Sequence, residues 1–373
     1  MKTRITELLG IEYPIIGFTP SHEVAAAITR AGGMGVLGAV RFSNVEELEE
    51  SLDYMEANTD GKPWGLDIVM PMQYVGDDNM SNLHEMIPEQ HKAFVEDVLQ
   101  RFGVPELPDD VEKPEGITAW MHSFARAQVE AAFKRPIKLL VNALGAPPKD
   151  IVDRAHEHGI YVGALAGTPK HAQAHIDNDV DFIIAQGHEA GGHTGEVTTM
   201  VLVPEVVDVA GDRPVLAAGG IGSGRQLAAA LALGAEGVWM GSYWLTSKEF
   251  QLEPHAPGKG YSIVKDKMFK ATSSDTVRSR VISGKPARML RTPWTEAWEA
   301  KDSPGTLPMP LQGLLVAEAE ARVRHFQNEE CLGSPVGQIV GRMNEEKPVK
   351  QLIDEIMEEA YKVQERLQKI AAK

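Results

Sequence analysis

The chain has 373 residues, of which 43% are hydrophobic and 24% are charged, and its formal net charge at pH 7 is −16. This size suits one large α/β barrel with additions or two ordinary domains, and the acidic charge argues against nucleic acid or an anionic membrane surface as a partner. The sequence has no apolar run long enough to span a bilayer and no signal-peptide h-region at its amino terminus, and Cys331 is its only cysteine. We therefore expect a cytoplasmic enzyme without disulfides.

Short apolar runs alternate with helical patterns along the first two thirds of the chain. Eight runs predict strands at 14–18, 34–38, 64–70, 137–142, 160–165, 182–185, 214–218 and 236–240. Apolar residues at helical spacing predict helices at 22–32, 44–58, 123–134, 149–158, 169–178, 203–209 and 223–233. The alternation implies a parallel sheet with right-handed crossovers. Eight strands favour a closed (β/α)8 TIM barrel over a doubly wound sheet.

Three stretches depart from this alternation. Residues 71–120 mix proline, glycine and charge, which indicates an insertion after the third strand. Residues 247–345 predict a cap segment over the barrel mouth. The last predicted helix, 346–370, carries an apolar stripe that ends in Leu367 and Ile370, and we expect the stripe to pack on the barrel. The predicted parts are a barrel at 1–246, a cap at 247–345 and a terminal helix at 346–373.

The loop after the sixth predicted strand is the strongest candidate site. It has four glycines in the nine residues from Gly187 to Gly195, so it is a shaped loop and not a helix. An imidazole suits proton transfer near neutral pH, and His193 is favoured because glycines flank it. Glu189 could orient His193 or cap a helix, and the sequence leaves both open. His188 and His193 lie five positions apart without a helix, so no metal site is predicted.

Two further glycine loops predict a phosphate site. Gly219 and Gly220 follow the seventh strand, and Gly241 and Ser242 follow the eighth. In (β/α)8 barrels the loops after the last two strands often bind phosphate through backbone amides. The segment 33–38 also matches G-x-G-x-x-G, but it runs from a helix into a strand, the reverse of the dinucleotide-binding context.

Three arginines could attract an anionic substrate. Arg225 lies at the predicted phosphate loop, whereas Arg288 and Arg291 fall in the predicted cap and are expected to be solvated surface residues.

With these motifs assembled, the chain resembles the nitronate monooxygenase family, formerly called 2-nitropropane dioxygenases. The resemblance rests on the runs at 186–195, 218–225, 234–242 and 307–311 and on Gly337-Gln338. It implies an FMN-dependent (β/α)8 barrel in which His193 is the catalytic residue. It places the flavin phosphate at Gly219, Gly220, Gly241 and Ser242, and the flavin ring against Gln186, Gly187, Gly191 and Gly192.

The sequence departs from the family pattern around the flavin ring. The segment Phe18-Thr19-Pro20 stands where the family usually has Ala-Pro-Met, and Asp67 stands where it has a flavin-contacting asparagine. The resemblance assigns Gly17, Phe18, Thr19 and Asp67 to the flavin. A lysine often found after the fifth strand is replaced near Ala166. These departures leave the substrate open.

The resemblance implies oxidation of alkyl nitronates with O2, with His193 as base or substrate anchor. The alternative is an NAD(P)H-dependent FMN reductase of an enoyl thioester or quinone on the same barrel. A non-redox aldolase or isomerase ranks below both, because Lys138 and Lys149 lie at the wrong strand ends for a Schiff base. The oligomeric state stays open, with a homodimer among the options.

Overall fold

The computed structural model describes residues 1–70, 80–111, 113–114, 122–252 and 262–372. These residues contain strands β1 Ile15–Thr19, β2 Met34–Gly38, β3 Gly65–Ile68, β4 Leu139–Asn142, β5 Tyr161–Ala166, β6 Phe182–Gln186, β7 Gly192–His193, β8 Val215–Ala218, β9 Gly237–Met240, β10 Thr276–Ser279 and β11 Ala287–Leu290. Their helices are α1 Arg4–Leu9, α2 His22–Arg30, α3 Val45–Asn58, α4 Met80–Glu85, α5 Glu89–Arg101, α6 His122–Phe133, α7 Lys149–Glu157, α8 Pro169–Asp177, α9 Thr199–Ala210, α10 Gly224–Ala232, α11 Ile263–Lys270, α12 Pro293–Glu299, α13 Leu311–His325 and α14 Val349–Ala371.

Eight parallel strands close into a barrel in the order β1-β2-β3-β4-β5-β6-β8-β9. The ring closes where β1 pairs with β9, with Gly17 opposite Met240. The barrel interior is filled by large apolar side chains, including Ile16, Val36, Leu139, Phe182, Leu216 and Trp239. The (β/α)8 prediction is therefore confirmed, and all eight strand carboxyl ends meet at one mouth, where barrels of this type carry their active sites.

Local signals explain why the crossover helices begin where they do. Ser21, Thr168 and Ser223 precede α2, α8 and α10, and each side chain accepts a hydrogen bond from a backbone amide in the first helical turn. These N-caps satisfy amides that have no partner within the helix. α8 also has Pro169 at its first position, where a missing N–H costs nothing.

A second, small sheet lies outside the barrel. β10 pairs with β11 in antiparallel register, and β11 pairs with β7, the two-residue strand that contains His193. Ala287 lies opposite His193, and Arg288 lies opposite Gly192. The segment expected as a cap thus forms a sheet with the loop after β6, a pairing that the sequence did not predict.

The insertion after β3 includes α4 and α5, and α5 packs against α13. The buried Arg322 on α13 donates to Glu96 on α5 at 2.7 Å and to the Pro105 carbonyl at 2.7 Å. These contacts join the insertion to the late part of the chain. Residues 71–79, 112 and 115–120 of the predicted insertion, and residues 253–261 of the predicted cap, lie outside the described residues.

Most predicted helix bounds agree with the structure within one or two residues, and α9 and α14 depart furthest from their predictions. α9 begins at Thr199, four residues earlier than expected, and it carries Pro204 in its interior. α14 packs against α10 and α2 and buries its apolar stripe from Val349 to Ala360. Beyond that point Leu367 and Ile370 are 47% and 56% exposed, so they do not take part in the expected packing. Within the described ranges, no helix is long and apolar enough to cross a membrane.

Candidate active site

The loop from Gly187 to Gly195 is fixed to the rest of the barrel mouth at several points. The Gly187 amide donates to the Ala218 carbonyl at 2.9 Å, and the Gln338 amide donates to the Glu189 carbonyl at 2.9 Å. A Cβ on Gly191 would come within 2.7 Å of the Gly337 backbone nitrogen. The loop is therefore packed under the 336–338 segment.

Glu189 caps a helix. Its Oε2 accepts hydrogen bonds of 2.9 Å from both the backbone amide and the hydroxyl of Thr199, at the start of α9. The Thr199 hydroxyl also lies 3.0 Å from the Gly219 carbonyl. Of the two roles that the sequence left open, the structure places Glu189 in the capping one, and the same contacts connect the His193 loop to the Gly219 loop.

His193 is a half-buried residue near the carboxyl end of this loop. Its Nε2 lies 2.7 Å from the Ser283 hydroxyl in the turn before β11. Burial, together with the nearby positive charge of Lys285, lowers the pKa of His193 to about 4. The imidazole is therefore uncharged at neutral pH and can accept a proton. Sequence reasoning did not find Ser283, because a lone serine carries no signal of its tertiary partner.

Asp67 lies inside the barrel near the end of β3. Its neighbours Leu66 and Ile68 point outward into the core under the helices, so Asp67 points inward. The residue is 2% exposed, and among the described residues no group donates a hydrogen bond to its carboxyl. Burial raises the pKa of Asp67 well above its ordinary value. The carboxyl is consequently held in, or close to, its neutral form, which can donate a hydrogen bond.

The Gly219 loop has the features of an anion site. Gly219 and Gly220 have φ of +104° and +69°, values that residues with a side chain rarely adopt. Within the described part of the chain, the backbone amides of Gly220 and Ile221 have no hydrogen-bond acceptor. A pocket of about 350 Å³ opens beside them, lined among others by Gln226 and Arg342. These amides are available to a phosphate.

The remaining predicted residues also lie at the strand carboxyl ends. Phe18 lies beside Gly241, whose added Cβ would be 3.5 Å from the Phe18 ring, and Ser242 Oγ accepts a 2.8 Å hydrogen bond from the Gly337 amide. Gly17 is explained by packing alone, because a Cβ there would lie 2.4 Å from Ile28 and 2.8 Å from Trp244. The glycine at position 17 is therefore required by packing and needs no ligand to explain it.

The structure brings the other predicted residues together at the barrel mouth. These mouth residues are Phe18, Thr19, Asp67, Gln186, Gly187, Gly191, Gly192, His193, Gly219, Gly220, Gly241 and Ser242.

The arginine predictions need one correction. Arg225 forms an ion pair with Glu359, Nε to Oε1 2.7 Å, on α14, and Arg291 is exposed. Arg288, expected at the surface, is only 4% exposed. The prediction for Arg288 was wrong because β11, Ala-Arg-Met-Leu, is buried on both faces. Nothing in the sequence near Arg288 indicates this burial. In the described ranges no three His, Cys, Asp or Glu side chains form a group that could hold a metal ion.

Comparison with known proteins identifies the family to which the chain is related. The sequence model of the family described as nitronate monooxygenase matches residues 2–359. Rv1533 of Mycobacterium tuberculosis, which is named as a monooxygenase, is 47% identical over 372 residues, with 96% of each chain covered.

Two solved structures share the fold over nearly the whole chain. FabK of Thermotoga maritima is 28% identical with a TM-score of 0.73, covering 99% of each chain. A nitroalkane oxidase of Streptomyces ansochromogenes is 22% identical with a TM-score of 0.77, covering 97% of this chain and 99% of that one. At that identity the second likeness concerns the fold alone. With a family match that spans nearly the whole chain and a relative of 47% identity, the protein belongs to the nitronate monooxygenase family and is an oxidoreductase.

Proposed function

We propose that the protein binds FMN at the barrel mouth and oxidises alkyl nitronates with O2. The observation that carries this proposal is the state of His193, an uncharged, half-buried imidazole that contacts Ser283 on a glycine loop at the mouth. Membership of the nitronate monooxygenase family supports the substrate class. The residues around the site then have to hold a flavin, orient the substrate and move one proton.

The residues present fit FMN. The amides of Gly220 and Ile221 and the hydroxyl of Ser242 would hold the phosphate, since both amides lack an acceptor among the described residues. The neutral carboxyl of Asp67 can both donate and accept, as an amide does, so it suits a flavin ring edge. Bound FMN would supply the redox chemistry, taking electrons from the substrate and passing them to O2. Residues assigned to the ring are Phe18, Thr19, Asp67, Gln186, Gly187, Gly191 and Gly192.

His193 has two tasks in this scheme. For a neutral nitroalkane, the imidazole removes the α-proton, and the negative charge that develops on the nitro group raises the pKa of the adjacent ring. The Ser283 hydroxyl oxygen can then accept a hydrogen bond from the protonated ring. For a substrate that arrives as a nitronate, His193 only orients it.

A second candidate is an NAD(P)H-dependent reductase of an enoyl thioester or quinone. The likeness to FabK supports it, because FabK aligns over 99% of this chain at 28% identity. The two candidates differ in the electron donor. The nitronate reaction needs no nicotinamide, whereas the reductase reaction needs one in every turnover.

An oxygen electrode separates the candidates. We expect the FMN-loaded protein to consume O2 with preformed propyl nitronate and without nicotinamide. O2 uptake that requires NADH or NADPH, with none on nitronate, would contradict the proposal. Reduction of a quinone or an enoyl thioester under the same conditions would establish the second candidate in its place.

Gly219→Ala is expected to weaken FMN binding by about tenfold or more, through backbone strain and through a new contact. The added Cβ would lie 2.9 Å from the Thr199 hydroxyl and 3.0 Å from the Gly187 carbonyl, so the loop must shift. Gly211→Ala is the matched control, because Gly211 also has a positive φ but open space around it. Quenching of FMN fluorescence gives both affinities. Equal affinities in the two variants would remove Gly219 from the FMN site.

A further inference from the structure

Two arginines lie directly opposite each other in the small sheet. Arg278 on β10 is in register with Arg288 on β11, so their side chains share one face of the sheet. Like charges placed opposite each other destabilise an antiparallel pair. Burial and the charge of Arg278 lower the pKa of Arg288. This arrangement is unfavourable in itself and requires a compensating interaction.

The described carboxylates form no close ion pair with Arg288, although the charge of Glu189 acts on it and favours its protonated form. In the described residues Arg288 has no ion-pair partner, and the Arg278 partner is Glu196, whose Oε1 lies 3.7 Å from Nη1 and whose side chain is 85% exposed. The Arg278 Nε is buried and has no hydrogen-bond partner among those residues. The pair is therefore not a conventional salt-bridge cluster.

Both guanidinium groups instead contact the loop that carries His193. Arg288 Nε donates to the His188 carbonyl at 3.2 Å, and its Nη1 donates to the Thr276 hydroxyl at 3.1 Å. Arg278 Nη2 donates to the Thr194 carbonyl at 3.2 Å. The two arginines thus hold carbonyls on either side of His193. We call Arg278 and Arg288 the arginine bracket.

The arginine bracket lies on the face of the small sheet opposite to the His193 imidazole. Arg288 pairs with Gly192, whereas its neighbour Ala287 pairs with His193. Because successive residues of a strand point to opposite faces, the bracket and the imidazole lie on opposite faces of the small sheet. The arginines therefore do not share the face from which His193 would meet a substrate.

The loop needs such support, since its own sequence fixes little. Gly191 and Gly192 flank His193 on one side, and Gly192 adopts a φ of +73°. β7 has only two residues, too few to set the direction of a side chain without tertiary contacts. Charge-assisted hydrogen bonds to carbonyls are among the stronger ways to fix a backbone.

We infer that Arg278 and Arg288 are positioning residues, which hold the loop on both sides of His193 and so fix the direction and burial of its imidazole. The catalytic consequence rests on the proposed function, whereas the effect on His193 itself does not. The charged group that acts on the pKa of His193 is Lys285. The other charged side chains on the loop or on the strands packed against it are Glu189, Glu196, Arg278 and Arg288.

The test compares FMN-loaded wild type with the variants Arg288→Met, Arg278→Met and the charge-conserving Arg288→Lys. Arg291→Met is the control, because Arg291 is exposed just after β11. NMR titration of ¹³C-labelled histidine gives the pKa of His193. We expect it to rise by at least about one unit in Arg288→Met, as water reaches the ring, and not to change in Arg291→Met. In Arg288→Lys we expect a smaller rise, because lysine keeps the charge but not the planar fork.

Kinetics provide the second readout. With neutral nitroalkane, kcat should fall about tenfold or more in both methionine variants, with KM changed less than about threefold, since a misplaced base costs rate more than binding. The double variant should lose less than the product of the two single losses, because both residues hold one loop.

Two results would overturn the inference. One is a His193 pKa and kcat in Arg288→Met equal to those of Arg291→Met. The other is thermal stabilisation by inorganic phosphate that disappears in Arg288→Met while kcat stays unchanged, which would make the pair an anion site. A wild-type protein without nitroalkane or nitronate activity, but with the expected pKa shifts, would reject the proposed function and leave the bracket standing.

Discussion

His193→Asn is expected to lower kcat on a neutral nitroalkane by about 100-fold or more, while oxidation of the preformed nitronate stays within about tenfold of wild type. Asparagine keeps a polar side chain at the position but cannot take a proton. Only the neutral substrate requires proton removal, so only its oxidation should lose the larger factor.

The measurement is O2 consumption with nitroethane and with ethyl nitronate, at one pH and with the FMN content of each protein determined. Ser283→Ala is the matched control, since it removes the Nε2 contact of His193 but keeps the base, and it should have a smaller effect. Equal losses on both substrates in His193→Asn would contradict a role as base and leave only that of an anchor.

The pH profile gives a further check on the same residue. Because the pKa of His193 is lowered to about 4, kcat/KM for the neutral substrate should stay level from about pH 7 to about pH 5 and fall at lower pH. For stability the sign follows from the same shift: the folded state binds the proton more weakly than the unfolded state. The contribution of His193 to the free energy of unfolding is therefore fully present above pH 6.5, the ordinary pKa of histidine, and is lost as the pH falls toward 4.

Asp67→Asn is expected to raise the free energy of unfolding of the FMN-free protein, by an amount that grows with pH. Burial raises the pKa of Asp67 above 3.8, so the folded state holds a proton that the unfolded state releases. Stability of the wild type therefore falls as the pH rises above 3.8, by about 1.4 kcal/mol per pH unit until Asp67 ionises in the folded protein. Asparagine has no such proton and avoids this loss.

Urea unfolding of both proteins between pH 5 and pH 8 measures the difference. Asp109→Asn serves as control because Asp109 is exposed in a loop. We also expect Asp67→Asn to keep FMN, since an amide offers the same donor and acceptor as a neutral carboxyl. A difference in stability that does not change with pH would mean that Asp67 is ionised in the folded protein and has a partner there.

The sequence was sufficient for features that depend on local periodicity. Each of the eight barrel strands is a short apolar run between helical patterns, and closure follows from their number. The start of α10 was also predicted to within one residue, at 223 against Gly224 in the structure. α9 was predicted too short at its start, since proline is typical of the first turn of a helix, whereas Pro204 lies in the interior of α9.

The sequence failed where a feature depends on pairing between distant segments. β7 is a strand only because β11 lies beside it, and two residues, Gly192 and His193, carry no periodic signal. Arg288 was expected at the surface, since a charged residue is rarely buried and nothing nearby in sequence marks its contact with the His188 carbonyl. The residues of the candidate site were predicted from their motifs, whereas the contacts that hold the His193 loop in place were not.

The most direct test of the account is an absorbance spectrum of the purified, FMN-loaded protein without oxygen. Propionate 3-nitronate, NADH and NADPH are added to separate samples. We expect the flavin band to bleach with the nitronate and not with either nicotinamide. Rapid bleaching by NADH or NADPH, with none by the nitronate, would contradict the account and make the protein a nicotinamide-dependent reductase.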